Sequence, residues 1–478
     1  MSETVTFGTD GWRAVIGDGY TFDNLTRVAR ATAEWVQAQP DGDGSVVLGH
    51  DTRFEGEAFT RHVARVMASA GVKVHLASTF VTTPAISWAT GDGGRTAGIV
   101  ITASHNPPQY NGFKIKAHFG GPASPEMIAD VEARMAAHVA SGDTGADLQP
   151  YDSLVAEGLI ETFDLRSAYV ALLRERLDVS AIKEATVRVA YDAMFGAGQG
   201  IVGELLGKVR VTELHHDLNP GMYGQAPEPI ERNLGDLLRA TVENSCGAGL
   251  ATDGDADRIG LVDEEGTFVD SHKILALLVK YLHTEKGLRG DIVKTFSTTD
   301  MLDRMGEAYG LTVRTTPIGF KYIGPMMVER DVLVGGEESG GMAVKGHIPE
   351  RDGLYIGLLV VEMMVKRERT LSGLVRELMD EFGPHYQSRT DLHTTPARKD
   401  EVLAILKTDG LAEVAGAPVV KTETLDGFKF RVGTGATAGW LLFRPSGTEP
   451  VLRVYSEAAT QDRADTLVQW GVDWVNGG

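Results

Sequence analysis

The chain has 478 residues, 42% of them hydrophobic and 23% charged, and acidic residues outnumber basic ones by 66 to 46. This composition is typical of a globular protein of three or four domains, at roughly 100–200 residues per domain. The formal net charge of −20 repels nucleic acid and anionic lipid, so we expect neither nucleic acid nor a membrane as a partner.

The expected compartment follows from cysteine usage and from the lack of targeting patterns. The single cysteine, Cys246, excludes an internal disulfide and fits a reducing compartment. Residues 1–7 lack the basic and apolar regions of a signal peptide. The longest apolar run, 354–365, is interrupted by Gly357 and Glu362, and it predicts a buried helix because about 20 apolar residues are needed to span a bilayer. We therefore expect a cytoplasmic protein.

Short β-branched runs alternate with amphipathic stretches along the chain. Apolar residues recur at helical spacing over 59–70 and 371–382, which predicts helices there. Strands alternating with helices indicate α/β domains with parallel or mixed sheets, in which ligands bind beyond the carboxyl ends of the strands. The predicted strands are 46–48, 99–102, 187–190, 250–251 and 332–334.

Three apolar runs each end in a loop of small, chemically active residues. These segments are 99–107, 249–258 and 332–341, and their regular separation predicts three similar α/β domains that face one cleft. The final hundred residues differ, because the pattern there predicts a helix, a few strands and a fourth loop, 444–450, before a strand at 451–456.

The second loop carries three alternating carboxylates, Asp253, Asp255 and Asp257. Carboxylates this close repel one another unless a cation lies among them, and hard oxygen ligands suit Mg²⁺ or Ca²⁺. An EF-hand is excluded because its sixth position must be glycine, whereas this loop has Arg258 there. A solvated acidic turn is the alternative, but apolar residues on both sides place the loop at a strand end and favour a metal site.

The first loop places Ser104 at a strand end, followed by His105 and, in the next segment, Lys114. A serine there is a candidate nucleophile, and the two neighbours are candidates for moving protons or holding a phosphate. A simple turn without chemistry is the competing interpretation. The sequence lacks a Gly-x-Ser-x-Gly elbow, which disfavours acyl transfer, and a serine combined with a metal loop favours phosphoryl transfer.

The third loop presents Glu337 and Ser339 on a glycine-rich backbone, and carboxylates accept hydrogen bonds from sugar hydroxyls. A plain glycine turn is the alternative. The fourth loop offers Arg444, Ser446 and Thr448, a set that suits a phosphate to be held without being cleaved. Neither a Walker A loop nor a dinucleotide fingerprint is present, so ATP or NAD chemistry is unsupported.

Together these loops, with the motif at 7–13, resemble the α-D-phosphohexomutase superfamily over nearly the whole chain. The resemblance implies that Ser104 is phosphorylated, and that its phosphate completes a Mg²⁺ site. It also implies a group around the transferring phosphate, a sugar-reading group and a distal phosphate clamp. The implied metal ligands are Ser104, Asp253, Asp255 and Asp257; the implied catalytic residues are Ser104, His105, Lys114 and Arg13; and the implied substrate-binding residues are Glu337, Ser339, Arg351, Arg258, Arg444, Ser446, Gly447 and Thr448.

The resemblance further implies an α/β fold of four domains around a central cleft. Three related α/β domains with mixed sheets would carry the phosphoserine, metal-binding and sugar-binding loops, and a smaller C-terminal α+β domain would carry the phosphate-binding loop. The expected boundaries are 1–150, 151–265, 266–385 and 386–478.

The implied reaction interconverts hexose 1-phosphate and hexose 6-phosphate through a hexose 1,6-bisphosphate intermediate, with a phosphosugar as partner and a monomer or homodimer as assembly. The glucosamine branch tends to have Gln and His where this chain has Glu338 and Gly341, while many glucose-type members have Lys in place of Arg351. This favours glucose, with mannose second. The alternatives are a phosphoglucosamine mutase, a Mg²⁺-dependent phosphatase that uses the same serine, and a non-catalytic sugar-phosphate sensor.

Overall fold

The computed structural model describes residues 5–8, 10–141, 147–445 and 451–477. The chain divides into two compact units, the first formed by 1–291 and 319–374 and the second by 292–318 and 375–478. Among the helices of the described ranges, none combines the length and apolar composition that crossing a membrane requires.

The first unit begins with a seven-stranded mixed sheet. Its strands are β1 Trp12–Ile16, β2 Gly19–Tyr20, β3 Ser45–His50, β4 Lys73–Ala77, β5 Ala97–Ile101, β6 Tyr110–Ala117 and β7 Ile160–Phe163. They lie in the order β2-β1-β6-β5-β3-β4-β7. The accompanying helices are α1 Phe22–Ala38, α2 Gly56–Ser69, α3 Thr83–Asp92, α4 Pro125–Ser141 and α5 Tyr151–Ala156.

Burial explains why this sheet forms where it does. Every residue of β5 is buried, as expected for a central strand of a sheet covered on both faces. Helix α1 starts where the side chain of Thr21 accepts the Asn24 amide, and α3 starts where Thr82 accepts the Ala85 amide. Strand β3 is parallel to β4 and β5, so the carboxyl ends of β3 and β5 lie at the same edge of the sheet.

A second, five-stranded mixed sheet follows in the same unit. Its strands are β8 Val189–Asp192, β9 Val211–Leu214, β10 Ala248–Thr252, β11 Ile259–Asp263 and β12 Phe268–Val269, in the order β12-β11-β10-β8-β9. Its helices are α6 Leu165–Arg176, α7 Val179–Glu184, α8 Ile201–Leu206, α9 Gly235–Glu243 and α10 Ser271–Lys280.

The rest of the first unit holds an antiparallel strand pair and two helices. These elements are α12 Phe320–Glu329, β15 Val332–Gly336, β16 Met342–Val344 and α13 Gly353–Arg367. The buried helix predicted over 354–365 is confirmed by α13, in which Glu362 is buried and accepts hydrogen bonds from Tyr281, Lys286 and the Asp178 amide.

The second unit contains a parallel strand pair and a six-stranded antiparallel sheet. The pair and its helix are β13 Asp291–Thr295, α11 Met301–Tyr309 and β14 Val313–Thr316. The sheet, ordered β17-β22-β21-β20-β19-β18, consists of β17 Tyr386–His393, β18 Glu413–Val414, β19 Ala417–Glu423, β20 Phe428–Val432, β21 Gly439–Pro445 and β22 Val451–Ala458. Two helices accompany it, α15 Pro396–Thr408 and α16 Gln461–Val475, and α14 Leu371–Phe382 crosses the boundary between the units.

Most predicted elements are confirmed, with small shifts. The helix predicted over 371–382 coincides with α14. The strand predicted over 187–190 begins two residues later, at Val189, because its pairing with β10 and β9 starts there. The C-terminal region has two helices where the pattern predicted one.

Candidate active site

Ser104 lies directly beyond the carboxyl end of β5, fully buried and in a left-handed backbone conformation with φ of 53°. Its hydroxyl donates a hydrogen bond of 2.6 Å to Oδ2 of Asp253. Nδ1 of His105 lies 3.2 Å from the same hydroxyl. A non-glycine residue in this conformation costs about 1–3 kcal/mol, and at Ser104 it accompanies the contact of the hydroxyl with the acidic loop.

The predicted acidic loop lies between β10 and β11, and its carboxylates do converge. Asp253, Asp255 and Asp257 are fully buried, and one oxygen from each lies within 4.8 Å of the others. The Oδ1 atoms of Asp255 and Asp257 are buried without a hydrogen-bond partner among the described residues. Buried, unpartnered carboxylate oxygens fit a small hard cation, which they would hold together with an oxygen on Ser104.

The protonation of this cluster follows from burial and charge. Burial raises the pKa of Asp253 well above its ordinary value, and the charges of Asp257 and Asp255 raise it further. Burial would also raise the pKa of Asp255, but the neighbouring Lys114 reverses the effect and holds that pKa below its ordinary value. A divalent cation would displace the proton from Asp253 and compensate the repulsion.

Lys114 lies on β6 at the centre of the charged cluster. Its Nζ is 2.9 Å from Asp10, 2.8 Å from Asp255 and 2.9 Å from Asp257. Burial alone would lower the pKa of Lys114, but these three carboxylates raise it above its ordinary value. Lys114 is therefore charged in this arrangement, and it can compensate the negative charge of a phosphoryl group; its raised pKa makes it a poor proton donor.

Arg351 connects the acidic loop to the N-terminal motif at 7–13. Its Nη2 lies 2.6 Å from Asp10 and 2.9 Å from Asp257, and its Nε lies 3.0 Å from Glu350. Lys116 pairs with Glu350 at 2.6 Å. Three residues of this cluster were not predicted as site residues: Asp10, Lys116 and Glu350. Asp10 lies within the motif at 7–13, and Lys116 follows Lys114 by two residues along β6.

His105 lies beside Ser104, and Arg13 contacts the same turn through Asn106. The guanidinium of Arg13 donates a hydrogen bond of 2.6 Å to the side chain of Asn106. Burial lowers the pKa of His105 well below its ordinary value, and the charges of Arg258 and Arg13 lower it further. His105 is therefore neutral at physiological pH, with a ring nitrogen beside the Ser104 hydroxyl.

The third loop follows β15 and packs on the residues that directly follow the acidic loop. The Ile259 amide donates to the Gly340 carbonyl at 3.1 Å, and the Glu337 amide donates to the Gly341 carbonyl at 3.0 Å. A Cβ atom at Gly341 would lie 2.4 Å from Cδ of Arg351, so the absence of a side chain makes room for that arginine. The loops at Ser104, Asp253 and Glu337 are thus close together within the first unit, and Ser339 is partly buried there.

Glu337 is buried, and this raises its pKa to about 7 although Arg351 and Arg258 oppose the shift. Because the raised pKa favours the protonated folded state, the contribution of Glu337 to the free energy of unfolding is present below about pH 4.5 and is lost as the pH rises through about 7. We expect Glu337→Gln to be neutral at pH 5 and to stabilise the protein by about 3 kcal/mol at pH 8. Chemical denaturation of both proteins across this range checks it, and a pH-independent difference would contradict it.

The predicted phosphate clamp belongs to the second unit. Arg444 lies at the end of β21, where its Nε donates to Asp426 at 3.2 Å. Ser446, Gly447 and Thr448 lie outside the described residues.

Comparison with known proteins places these observations in a family. Family models described as phosphoglucomutase/phosphomannomutase match four successive parts of the chain: alpha/beta/alpha domain I at 4–140, domain II at 167–266, domain III at 270–382 and the C-terminal domain at 395–469. The prediction of an α/β protein of four domains is confirmed by these matches.

Individual relatives match along their whole length. A phosphoglucomutase/phosphomannomutase of Thermococcus kodakarensis is 31% identical over 471 residues, covering 98% of this chain and 97% of the relative. A protein of Thermococcus gammatolerans, named probable phosphoglucosamine mutase, is 30% identical and covers 97% and 96%. The crystal structure of a protein from Thermus thermophilus, provisionally named a phosphomannomutase, aligns with a TM-score of 0.84 at 35% identity over 100% of both chains.

These matches extend over all four domains and include relatives at 30% identity or more. The chain therefore belongs to the phosphoglucomutase/phosphomannomutase family of the α-D-phosphohexomutase superfamily, whose members are isomerases that transfer a phosphoryl group.

Proposed function

We propose that this enzyme interconverts the 1-phosphate and 6-phosphate of a hexose, glucose first and mannose second, through phosphorylated Ser104 and a hexose 1,6-bisphosphate. The observation that carries the proposal is the 2.6 Å hydrogen bond from the Ser104 hydroxyl to Asp253. It places a buried serine against three carboxylates that fit a divalent cation, and this combination suits phosphoryl transfer.

The proposed metal ligands are Asp253, Asp255, Asp257 and a phosphate oxygen on Ser104. Mg²⁺ bound there would neutralise negative charge on the phosphoryl group and polarise it for attack. The hard oxygen donors and their two unpartnered atoms support this choice of ion.

In the proposed first half-reaction, the free O6 of a hexose 1-phosphate attacks the phosphorus carried by Ser104. The bond from phosphorus to the serine oxygen breaks as the bond to O6 forms. The hydroxyl proton of O6 passes to a base, which returns a proton to the departing serine oxygen. The neutral imidazole of His105 is the candidate for that base, whereas Lys114 and Arg13 carry charges that would compensate the phosphoryl oxygens. Positioning and fixed charge would supply most of the rate.

In the second half-reaction the bisphosphate turns end over end, and the Ser104 oxygen attacks the phosphorus on O1 as its proton passes to the base. The bond from phosphorus to O1 breaks, O1 receives the proton, and hexose 6-phosphate and phosphorylated Ser104 result. Both orientations need a sugar-binding loop that accepts either end, a role that we assign to Glu337 and Ser339, with Arg258 and Arg351 nearby. Arg444, Ser446, Gly447 and Thr448 are proposed to hold the phosphate that is not transferred. The domain boundaries proposed for these loops remain 1–150, 151–265, 266–385 and 386–478.

The preference for glucose rests on Glu338 and Gly341 in the sugar loop. The names of the relatives refer to glucose, mannose and glucosamine. The substrate preference is therefore measured directly. We would follow glucose 1-phosphate, mannose 1-phosphate and glucosamine 1-phosphate by ³¹P NMR with Mg²⁺ and a trace of glucose 1,6-bisphosphate.

The expected result is conversion of glucose 1-phosphate to the 6-phosphate fastest, mannose 1-phosphate second, without inorganic phosphate. Release of inorganic phosphate at the turnover rate would make the enzyme a phosphatase that uses the same serine. Faster conversion of glucosamine 1-phosphate would overturn the sugar assignment alone, and binding without turnover of any of the three would leave a sugar-phosphate sensor.

A further inference from the structure

Arg53, in the loop between β3 and α2, is 3% exposed and makes an unusual set of contacts. Its Nη2 donates to the main-chain carbonyls of Ser104 and Asn106, both at 2.6 Å. Its Nη1 donates to the carbonyls of Pro107 and Tyr110, at 2.9 and 3.0 Å. One guanidinium therefore binds four carbonyl oxygens of the turn that carries the proposed nucleophile.

The same turn is held from its amide side by Asp51. Its Oδ2 lies 3.2 Å from Nε of Arg53 and accepts the Thr102 hydroxyl at 2.5 Å. The oxygen of that hydroxyl accepts the Ser104 amide at 2.9 Å. The amide and the carbonyl of Ser104 are thus both anchored to one buried ion pair, Asp51 with Arg53.

This anchoring bears directly on the direction of the serine side chain. At Ser104 the backbone is left-handed, with φ of 53°, a conformation that persists only when its surroundings hold it. Ser104 is fully buried, and residues 105–108 and Tyr110 are partly buried, so water has limited access to these carbonyls and they need protein donors. Loss of the guanidinium would leave four carbonyls without these donors and allow the serine to relax away from Asp253.

We propose that Arg53, acting with Asp51, is a positioning residue for phosphoryl transfer: it fixes the Ser104 backbone so that the side-chain oxygen faces the acidic loop. This inference rests on the proposed function of Ser104. Arg53 acts through the main chain of the turn, so it should affect the rate of transfer rather than the binding of the sugar phosphate.

Lysine cannot replace this arginine. The planar fork of the guanidinium presents paired N–H groups to four oxygens at once, whereas an ammonium is a single point with three donors. Arg53→Lys therefore keeps the charge that pairs with Asp51 and loses the geometry, which separates positioning from electrostatics.

The test compares Arg53→Lys and Arg53→Ala with wild type under saturating Mg²⁺ and glucose 1,6-bisphosphate. We expect kcat to fall about 10²-fold in both, as a misplacement of the reacting group would cause, with KM for the hexose 1-phosphate nearly unchanged. Millimolar guanidinium chloride should raise kcat of Arg53→Ala severalfold, while the same concentration of sodium chloride should not.

The matched control is Arg65→Lys. Arg65, on α2 in the same unit, also donates to main-chain carbonyls, those of Gln149 and Leu148 at 2.6 and 2.9 Å, but it does not hold the Ser104 turn. We expect this variant to lose some stability and to keep its kcat.

Thr102→Val provides a second variant if the Arg53 variants fold poorly, because it removes the acceptor of the Ser104 amide and changes little volume. A readout independent of turnover is hydrogen exchange of the segment 102–110, which should accelerate in Arg53→Lys and not in Arg65→Lys. Failure of wild type to convert any hexose 1-phosphate would overturn the proposed function. With an active wild type, unchanged kcat in folded Arg53→Lys, or unchanged exchange in 102–110, would overturn the positioning role.

Discussion

Replacing Ser104 by alanine is expected to lower kcat for glucose 1-phosphate by about 10⁴-fold or more, as removal of a covalent nucleophile does. The protein should still fold, because the change removes only the hydrogen bond to Asp253, worth about 1–3 kcal/mol, and the longer contact with His105. Coupled mutase assays and thermal unfolding monitored by circular dichroism measure the two quantities. Turnover within a factor of about ten of wild type, or about 1.4 kcal/mol in barrier, would contradict the phosphoserine mechanism.

The control for this variant is Ser87→Ala, which also removes a fully buried serine hydroxyl from the first unit and should keep full activity. Ser104→Gly adds a conformational test. Because φ at this position is 53°, glycine relieves the strain that alanine retains, so Ser104→Gly should be more stable than Ser104→Ala by about 1 kcal/mol. Equal stability of the two would show that the turn relaxes once the serine is gone.

The second large effect concerns Mg²⁺ and the three carboxylates. At a Mg²⁺ concentration of about 100 times its Kd, binding to the folded state adds about 2.7 kcal/mol of stability. For a unit of about 350 residues this corresponds to a rise in Tm of roughly 3–5 °C. Removal of divalent cations should abolish turnover.

Asp253→Asn should lose the Mg²⁺-dependent rise in Tm, because the substitution takes one charge from the cluster and replaces an oxygen that faces Ser104. Differential scanning calorimetry with and without Mg²⁺ checks this.

Asp263→Asn is the matched control for the metal. Asp263 is also a buried aspartate, at the far end of β11, where it accepts the amides of Glu265 and Thr267. This variant should lose basal stability and keep the full Mg²⁺-dependent rise in Tm. The same rise in Asp253→Asn as in wild type would place the cation elsewhere.

Features that are contiguous in the chain were predictable from the sequence. Three aspartates fall within five residues, at 253, 255 and 257, and Ser104 lies just beyond a strand of buried residues. Local pattern and spacing were therefore enough to select these residues as candidates. The contacts that assemble the site are not local: Arg351 and Asp10 are separated by 341 residues, and no single-sequence pattern pairs them. Arg53 was not predicted because its hydrogen-bond acceptors are main-chain carbonyls. Every residue has such a carbonyl, so the sequence does not indicate which ones Arg53 contacts.

The fold was predictable to a similar extent. The helix over 371–382 has a strong apolar stripe and was predicted with the bounds that the structure shows. Only one helix was predicted in the C-terminal region; the pattern of α15 is the harder to recognise, because its large apolar residues are confined to 402–406 and charged residues flank them. The start of β8 was set by pairing with its neighbours, which a local pattern does not contain.

The close approach of Gly341 to Arg351 means that the residue types at these two positions depend on each other. A side chain at 341 would occupy the space that Arg351 crosses on its way to Asp10 and Asp257, so one of the two residues must yield before the other can grow. Relatives should therefore fall into two groups, small at 341 with a long cation at 351, or large at 341 with that cation rerouted. A residue larger than glycine at 341 therefore requires either a shorter side chain at 351 or a different path for that side chain, and a substitution at 341 alone should displace Arg351 from Asp10 and Asp257.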